Sequence, residues 1–158
     1  MALYAMGDLH LSLNSDKSMD IFGDGWHDYV NRIREGFAPL HDDDVTVLCG
    51  DLSWGMSLEE SLLDFQFINA LPGKKILLKG NHDYWWNTAA KMKRFFAENG
   101  LDTFEILRLL REYGVKACYY GHLHGASHRR AIEGTRSGTL FSLVAGDFLG
   151  FVPKKICE

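Results

Sequence analysis

A glycine followed at once by a side chain that can bind a metal comes close behind a short apolar run at four places in this chain. The four dipeptides are Gly7-Asp8, Gly50-Asp51, Gly80-Asn81 (after an intervening Lys79) and Gly121-His122. In open α/β sheets, ligands gather outside the carboxyl ends of the strands, and glycine lets the backbone turn sharply there. The pattern therefore predicts a fold in which four strand ends present side chains to one place.

The rest of the chain alternates between predicted strands and helices. Short apolar runs bounded by turn or charged residues predict strands at 2–6, 45–49, 76–78, 117–120 and 140–145. Capping and stop signals predict a helix from Ser57 that ends before Leu71-Pro72-Gly73, others at about 88–98 and 103–113, and a weaker one at 26–37. This alternation indicates an α/β layered fold with a largely parallel central sheet.

Two of the glycine turns add a second ligand two residues on, giving the pairs Asp8/His10 and His122/His124. In extended backbone, residues two apart project to the same side, so each pair is expected to reach one metal centre. The donors are carboxylate, amide oxygen and imidazole without thiolate. Such a set suits Mn²⁺, Fe or Zn²⁺.

A single Gly-Asp dipeptide is usually only a turn, and a single His-x-His does little better as evidence for a metal. The four dipeptides indicate a site because they occur together, each close behind an apolar run. Gly146-Asp147 also follows an apolar run. We interpret it as a cap or turn and place Asp147 outside the predicted site.

Composition narrows the classes of protein that fit. A chain of 158 residues with 46% apolar residues predicts one globular domain, 1–158, and its net charge of −4 weighs against a nucleic-acid partner. Three separated cysteines without a C-x-x-C pair fit a reducing compartment. Without a signal-peptide pattern or a long apolar run, we expect a cytoplasmic protein with no membrane partner.

The motif order Gly-Asp-Leu-His, Gly-Asp, Gly-Asn-His-Asp and Gly-His-Leu-His, which runs from Gly7 to Gly125, resembles the calcineurin-like metallophosphoesterase superfamily, in particular its uncharacterised bacterial members. The resemblance implies a sandwich of two β-sheets flanked by helices, with two divalent metal ions at the strand ends. It implies that one metal is held by Asp8, His10 and His124, that Asp51 bridges both metals, and that the other is held by Asn81 and His122.

The same resemblance makes His82 the catalytic histidine, which would protonate the leaving alkoxide or stabilise charge on the phosphoryl oxygens. Asp83 would either orient the His82 imidazole or form a surface salt bridge. Gly-Asp-Leu-Ser-Trp-Gly at 50–55 lacks the Asp-Arg of serine/threonine phosphatases, which removes support for a protein substrate. A small phosphate ester is the expected substrate.

One departure from the superfamily pattern leaves the second metal site with fewer ligands. Members normally supply a further histidine between the Gly-Asn-His and Gly-His-x-His motifs, whereas no histidine lies between His82 and His122 here. The short interval predicts a second sheet that is incomplete and a weak second site, where water, Asp102 or Glu105 would fill the vacancy. An incomplete sheet would leave an edge or apolar surface that a homodimer can cover.

Three functions follow from the sequence. The first is hydrolysis of a phosphomonoester or phosphodiester by metal-activated water. The second is a shortened, weakly active or inactive family member that acts as a metal-binding or scaffold protein. The third is a nuclease, and the negative net charge weighs against it. Aromatic residues near the motifs, Trp54 and Trp85 among them, are predicted either to stack on a substrate ring or to close the core.

Overall fold

The computed structural model describes residues 1–15, 17, 19–101, 104–106, 116–136 and 139–157. Its described strands form two sheets. The five-stranded sheet has the order β4-β3-β2-β1-β8, from β1 (Leu3–Met6), β2 (Val45–Leu48), β3 (Lys74–Leu77), β4 (Phe104–Ile106) and β8 (Lys154–Cys157). The three-stranded sheet has the order β5-β7-β6, from β5 (Ala117–Tyr120), β6 (Gly134–Arg136) and β7 (Thr139–Leu143).

The larger sheet is mostly parallel, as the sequence predicts. β1, β2, β3 and β4 pair in parallel, with Leu3 opposite Val45 and Val45 opposite Lys74. Only β8 runs antiparallel, beside β1. The carboxyl ends of β1, β2 and β3 therefore lie along one edge of this sheet, where the chain continues into the first three glycine motifs.

The two sheets are linked just beyond the end of β1. Gly7 donates its N–H to the carbonyl of Val144 over 2.7 Å and forms an isolated parallel bridge with Ala145. Val144 in turn donates to the carbonyl of Tyr120 over 2.8 Å, at the end of β5. The strand ends of both sheets are thus brought to one region of the molecule.

Three α-helices contribute large side chains to one buried cluster. They are α1 (Tyr29–Phe37), α2 (Leu62–Ala70) and α3 (Ala89–Glu98). Completely buried members of the cluster come from the sheet, from α1, from α2 and from the loops, namely Met6, Leu48, Leu77, Ile33, Phe37, Phe65, Ile68 and Phe151. Burial of this apolar surface supplies the main stabilisation of the scaffold that carries the strand ends.

Among the described residues, no helix combines the length and apolar character needed to cross a membrane.

The predicted helix boundaries agree with the structure in one case. α3 begins after Thr88, whose hydroxyl accepts a hydrogen bond from the Lys91 N–H, as expected of an N-cap. The helix predicted from Ser57 starts later, at Leu62, because the Ser57 and Glu60 side chains bond to the N–H groups of Glu60 and Met56 and so close a separate turn. The helix predicted at 26–37 begins at Tyr29, after a short 3₁₀ helix at Asp24–Trp26.

The helix predicted at 103–113 is wrong in its first part. Phe104–Ile106 form β4, which pairs with β3 through the opposition of Lys75 and Phe104. Pairing along an open sheet edge overrides a local helical preference in so short an apolar stretch. Residues 107–115, together with Asp102 and the side chain of Glu105, lie outside the described part of the chain. β6 and β8 were not predicted from the sequence.

Candidate metal centre

Four of the predicted ligands converge where the strand ends meet. Nε2 of His10 lies 3.3 Å from Nε2 of His124 and 4.0 Å from a carboxylate oxygen of Asp51. Nε2 of His124 lies 3.5 Å from a carboxylate oxygen of Asp8. We call Asp8, His10, Asp51 and His124 the ligand cluster.

The ligand cluster has the donor types and the spacing that a divalent metal requires. Ligand atoms of Asp8, His10 and His124 all lie within 4.8 Å of one another. Donors bound to one ion at about 2.0–2.2 Å lie roughly 3–4.4 Å apart, so small side-chain shifts close the set around an ion. Imidazole and carboxylate donors without thiolate fit Mn, Fe or Zn. The residues present therefore fit the metal that the sequence implies.

The backbone at several of the predicted ligands is left-handed and not extended, contrary to the expectation from the sequence. Positive φ angles, of 57°, 45°, 52° and 74°, occur at Asp8, His10, Asp51 and His122. The expectation that Asp8 and His10 share a side because their backbone is extended is therefore wrong, although their side chains do meet. Left-handed backbone at non-glycine residues is costly and is held in place at functional sites by surrounding contacts.

At two of the motif glycines, a side chain would collide with a carboxylate that follows another strand. A Cβ atom at Gly121 would lie 2.0 Å from a carboxylate oxygen of Asp8, and one at Gly80 would lie 2.1 Å from a carboxylate oxygen of Asp51. The carboxylate that follows β1 thus occupies the space beside the glycine that follows β5. The carboxylate that follows β2 likewise occupies the space beside the glycine that follows β3.

Backbone N–H groups hold both carboxylates in place. His122 donates its N–H to the two oxygens of Asp8, at 2.9 Å each, and His82 donates its N–H to Oδ1 of Asp51 over 2.8 Å. These bonds leave the remaining lone pairs of the carboxylates directed toward the histidines. The strand-end turns therefore hold both carboxylates in position.

Asp83 organises the loops instead of the His82 imidazole. Its side chain is 1% exposed. Its oxygens accept hydrogen bonds from the N–H groups of Gly80, Asp51 and Leu52 at 2.7–2.9 Å and from the indole of Trp85 at 3.0 Å. Burial raises the pKa of Asp83, while the backbone hydrogen bonds act in the opposite direction. Neither of the two roles predicted for Asp83 matches these contacts.

Two of the other predicted site residues line a cavity at the ligand cluster, and Asn81 does not. His82 and His122 line a cavity of about 170 Å³ together with His10, Asp51 and His124. Nδ1 of His82 lies 3.5 Å from the hydroxyl of Tyr84. Asn81 is exposed and does not line this cavity. The predicted second set of Asp51, Asn81 and His122 therefore converges less than the ligand cluster does.

Asp147, which the sequence argument set aside, contacts a residue of the ligand cluster. Its Oδ1 lies 3.0 Å from Nδ1 of His124, and its Oδ2 lies 3.2 Å from Nε2 of His128 and accepts the Gly125 N–H over 3.0 Å. The Phe148 N–H also donates to it, so the predicted turn is present. Gly146-Asp147 repeats the apolar-run, glycine, ligand pattern of the other motifs, and that repetition was the signal for its role.

The pKa values of the two histidines of the ligand cluster are shifted in opposite directions. Burial lowers the pKa of His10 to about 4, with Asp8 acting against it and the nearby His124 and His82 reinforcing it. Burial also acts to lower the pKa of His124, but hydrogen bonds to Asp147 and Asp8 outweigh it and raise the pKa to about 9. Without metal, His124 is therefore expected to carry a proton at neutral pH, and metal binding would release it.

Replacing Asp147 by Asn is expected to weaken Mn²⁺ binding by about 10-fold to 100-fold, because carboxylates that orient a ligating imidazole typically contribute that much. The amide keeps the shape and removes the charge beside Nδ1 of His124. Calorimetric titration of the metal-free protein checks this, with Asp43→Asn as the matched control, since the Asp43 side chain is 70% exposed and bonds to the N-terminal amine. Equal affinities in Asp147→Asn and wild type would contradict the role.

Comparisons with known proteins give one family and one fold. A family model described as calcineurin-like phosphoesterase matches residues 1–107. Curated proteins yield no match. The structure is similar to the crystal structure of a protein of unknown function from Aquifex aeolicus, with a TM-score of 0.54 and 14% identity, over 98% of this chain and 95% of that one. At this identity the likeness concerns the fold alone.

Proposed function

The chain belongs to the calcineurin-like phosphoesterase family, and we propose that it hydrolyses a phosphomonoester or phosphodiester with divalent metal held by the ligand cluster. The observation that carries this proposal is that His82 lines the same cavity as His10, Asp51 and His124 of the ligand cluster. A proton donor and a metal position are then available to one bound phosphate ester.

Asp8, His10, Asp51 and His124 would hold the metal. When bound there, a divalent Mn, Fe or Zn ion supplies Lewis-acid polarisation of the phosphoryl group and lowers the pKa of water to yield a nucleophile. The chain itself contributes the fixed carboxylates and the neutral His10 imidazole. Because burial lowers the pKa of His10 to about 4, its lone pair is available near neutral pH.

His82 would transfer a proton to the leaving oxygen as the ester bond breaks. Its main chain is tied to Asp51 through the 2.8 Å hydrogen bond, so its distance from the ligand cluster is fixed. Its ring centroid lies 5.0 Å from that of Trp54 and 5.9 Å from that of His10. These contacts support the assignment of His82 as the acid because they hold its imidazole beside the metal position.

A second metal would be held by Asp51, Asn81 and His122, and we propose that this site is weak. In support, Asn81 is exposed and does not line the cavity, and the sequence has no histidine between His82 and His122. We further propose that the two sheets form the sandwich typical of the family with an incomplete second sheet. The three strands described for that sheet support this.

Metal titration combined with a hydrolysis assay tests the proposed function. We expect one tightly bound Mn²⁺ per chain, a second at least about tenfold weaker because its donor set lacks a histidine, and hydrolysis of bis-p-nitrophenyl phosphate or p-nitrophenyl phosphate that depends on added Mn²⁺. Two equally tight ions would contradict the weak second site. A tight ion without hydrolysis under Mn²⁺, Fe²⁺ or Zn²⁺ would favour an inactive metal-binding or scaffold protein.

A further inference from the structure

The cavity at the ligand cluster has a polar side and an apolar side. Its polar side consists of the histidines and Asp51, and its apolar side is lined by Met19, Phe22, Trp26 and Trp54. A phosphate ester has the same division, with a charged phosphoryl group joined to an organic group. An ester whose phosphoryl oxygens face the ligand cluster therefore places its organic group against the apolar side.

Two tryptophans of the apolar side are fixed to the ligand cluster. The Trp26 side chain is 2% exposed and meets the rings of His10 and His124 edge to face, with centroids 5.9 Å and 5.5 Å apart. Trp54 stacks on His10 with centroids 5.0 Å apart, and its indole N–H donates to the sulfur of Met19 over 3.3 Å. The apolar side thus keeps a constant distance from the position of the phosphoryl group.

Phe22 differs from the tryptophans because its ring is open to solvent. It ends the 3₁₀ helix at Met19–Phe22, lines the cavity and is 63% exposed. The Trp54 ring is already in contact with His10, and Nζ of Lys17 lies 5.6 Å from its centroid. Phe22 is therefore the residue of this side with free ring surface to offer a ligand.

The size of the cavity limits what it can hold. It encloses about 170 Å³, and a protein cavity of about 150 Å³ accommodates one benzene molecule. That volume includes the polar side, so a single six-membered ring beside the phosphoryl group already reaches the solvent-exposed Phe22. A long acyl chain or a stack of several rings would extend past Phe22 into solvent.

We propose that this site selects phosphate esters whose organic group carries a single apolar ring close to phosphorus, with Phe22 as the specificity-determining residue that covers the ring. This rests on the proposed function, since it uses the ligand cluster as the phosphoryl position. Compact esters without a ring leave Phe22 exposed and gain nothing from the apolar side.

Binding of two phosphonates that cannot be hydrolysed tests the proposal. Phenylphosphonate and methylphosphonate are titrated calorimetrically into the Mn²⁺-loaded protein at a pH at which both are dianions, so that they differ in the ring. We expect phenylphosphonate to bind about tenfold more tightly, in the range measured for stacking on one aromatic side chain. In Phe22→Ala this preference should fall to about threefold or less, with the affinity for methylphosphonate unchanged.

Ile21→Ala is the matched control, because Ile21 belongs to the same 3₁₀ helix, is 80% exposed and does not line the cavity. It should keep the wild-type preference. Equal affinities of the two phosphonates in the wild type, or an equal loss in Ile21→Ala and Phe22→Ala, would overturn the proposal and leave the proposed function standing. Binding of neither phosphonate would overturn the proposed function and the ring preference with it.

Discussion

Asp51→Asn is expected to abolish Mn²⁺-dependent hydrolysis, with a loss of about 100-fold or more, and to weaken Mn²⁺ binding by at least about tenfold. Oδ1 of Asp51 accepts the His82 N–H, and Oδ2 lies 4.0 Å from Nε2 of His10. In the variant, the amide oxygen keeps the bond to His82 and the amide NH₂ takes the position of Oδ2. A donor then faces the metal position where a negatively charged acceptor is needed.

His82→Ala separates the chemical step from metal binding. Its main-chain N–H, which holds Asp51, remains in the variant. We expect hydrolysis to fall by about 100-fold to 10,000-fold, the usual contribution of a general acid, with Mn²⁺ affinity within about threefold of the wild type. The loss should be smaller for p-nitrophenyl esters than for alkyl esters, because a good leaving group needs less protonation.

Hydrolysis and calorimetric titration on the same preparations check both variants, with Asp43→Asn as the carboxylate-to-amide control at an exposed position. Asp51→Asn with wild-type Mn²⁺ affinity would remove Asp51 from the ligand cluster. A His82→Ala variant that retains full activity on alkyl esters would remove His82 as the acid.

Asp83→Asn is expected to lower the free energy of unfolding by about 2–4 kcal/mol, because it breaks a buried set of hydrogen bonds in which the carboxylate is acceptor only. Three backbone N–H groups, from Gly80, Asp51 and Leu52, point at its oxygens, and the indole of Trp85 is a fourth donor. An amide offers one oxygen to these donors. Its NH₂ group would face at least one N–H without an acceptor between them.

Thermal unfolding followed by circular dichroism checks this prediction in the metal-free protein, where the loss corresponds to a decrease in Tm of about 5–15 °C. Using metal-free protein separates the effect of Asp83 from any loss of bound ion. The Asp43→Asn control should unfold within about 2 °C of the wild type, as expected for an exposed position. A similar Tm for Asp83→Asn and wild type would show that the four donors find other acceptors.

The sequence predicted the parts of this molecule that depend on repeated local chemistry. Glycine followed by a ligand after each apolar run located Asp8, Asp51 and His122 at strand ends, and the parallel order of β1, β2 and β3 follows from the alternation with helices. The family assignment, made from the order of the motifs, is confirmed by the family model that matches residues 1–107.

Contacts between distant parts of the chain were not predictable in the same way. β4 forms because β3 offers an open edge, which no local pattern at 104–106 records. The four hydrogen bonds to Asp83 depend on two separate loops, the one after β2 and the one after β3. The role of Asp147 was missed because its glycine-ligand pattern was interpreted as a turn alone; Asp147 lies 23 residues from His124, and the fold brings its carboxylate to Nδ1 of that histidine.

The fit of Asp8 beside Gly121 and of Asp51 beside Gly80 makes the ligands of one strand dependent on the glycine of another. Any side chain at either glycine would push a carboxylate out of the ligand cluster without altering a single donor atom. A protein engineer who transfers this centre to another α/β scaffold must therefore copy six residues. The two glycines are among them because each leaves room for a carboxylate that follows another strand.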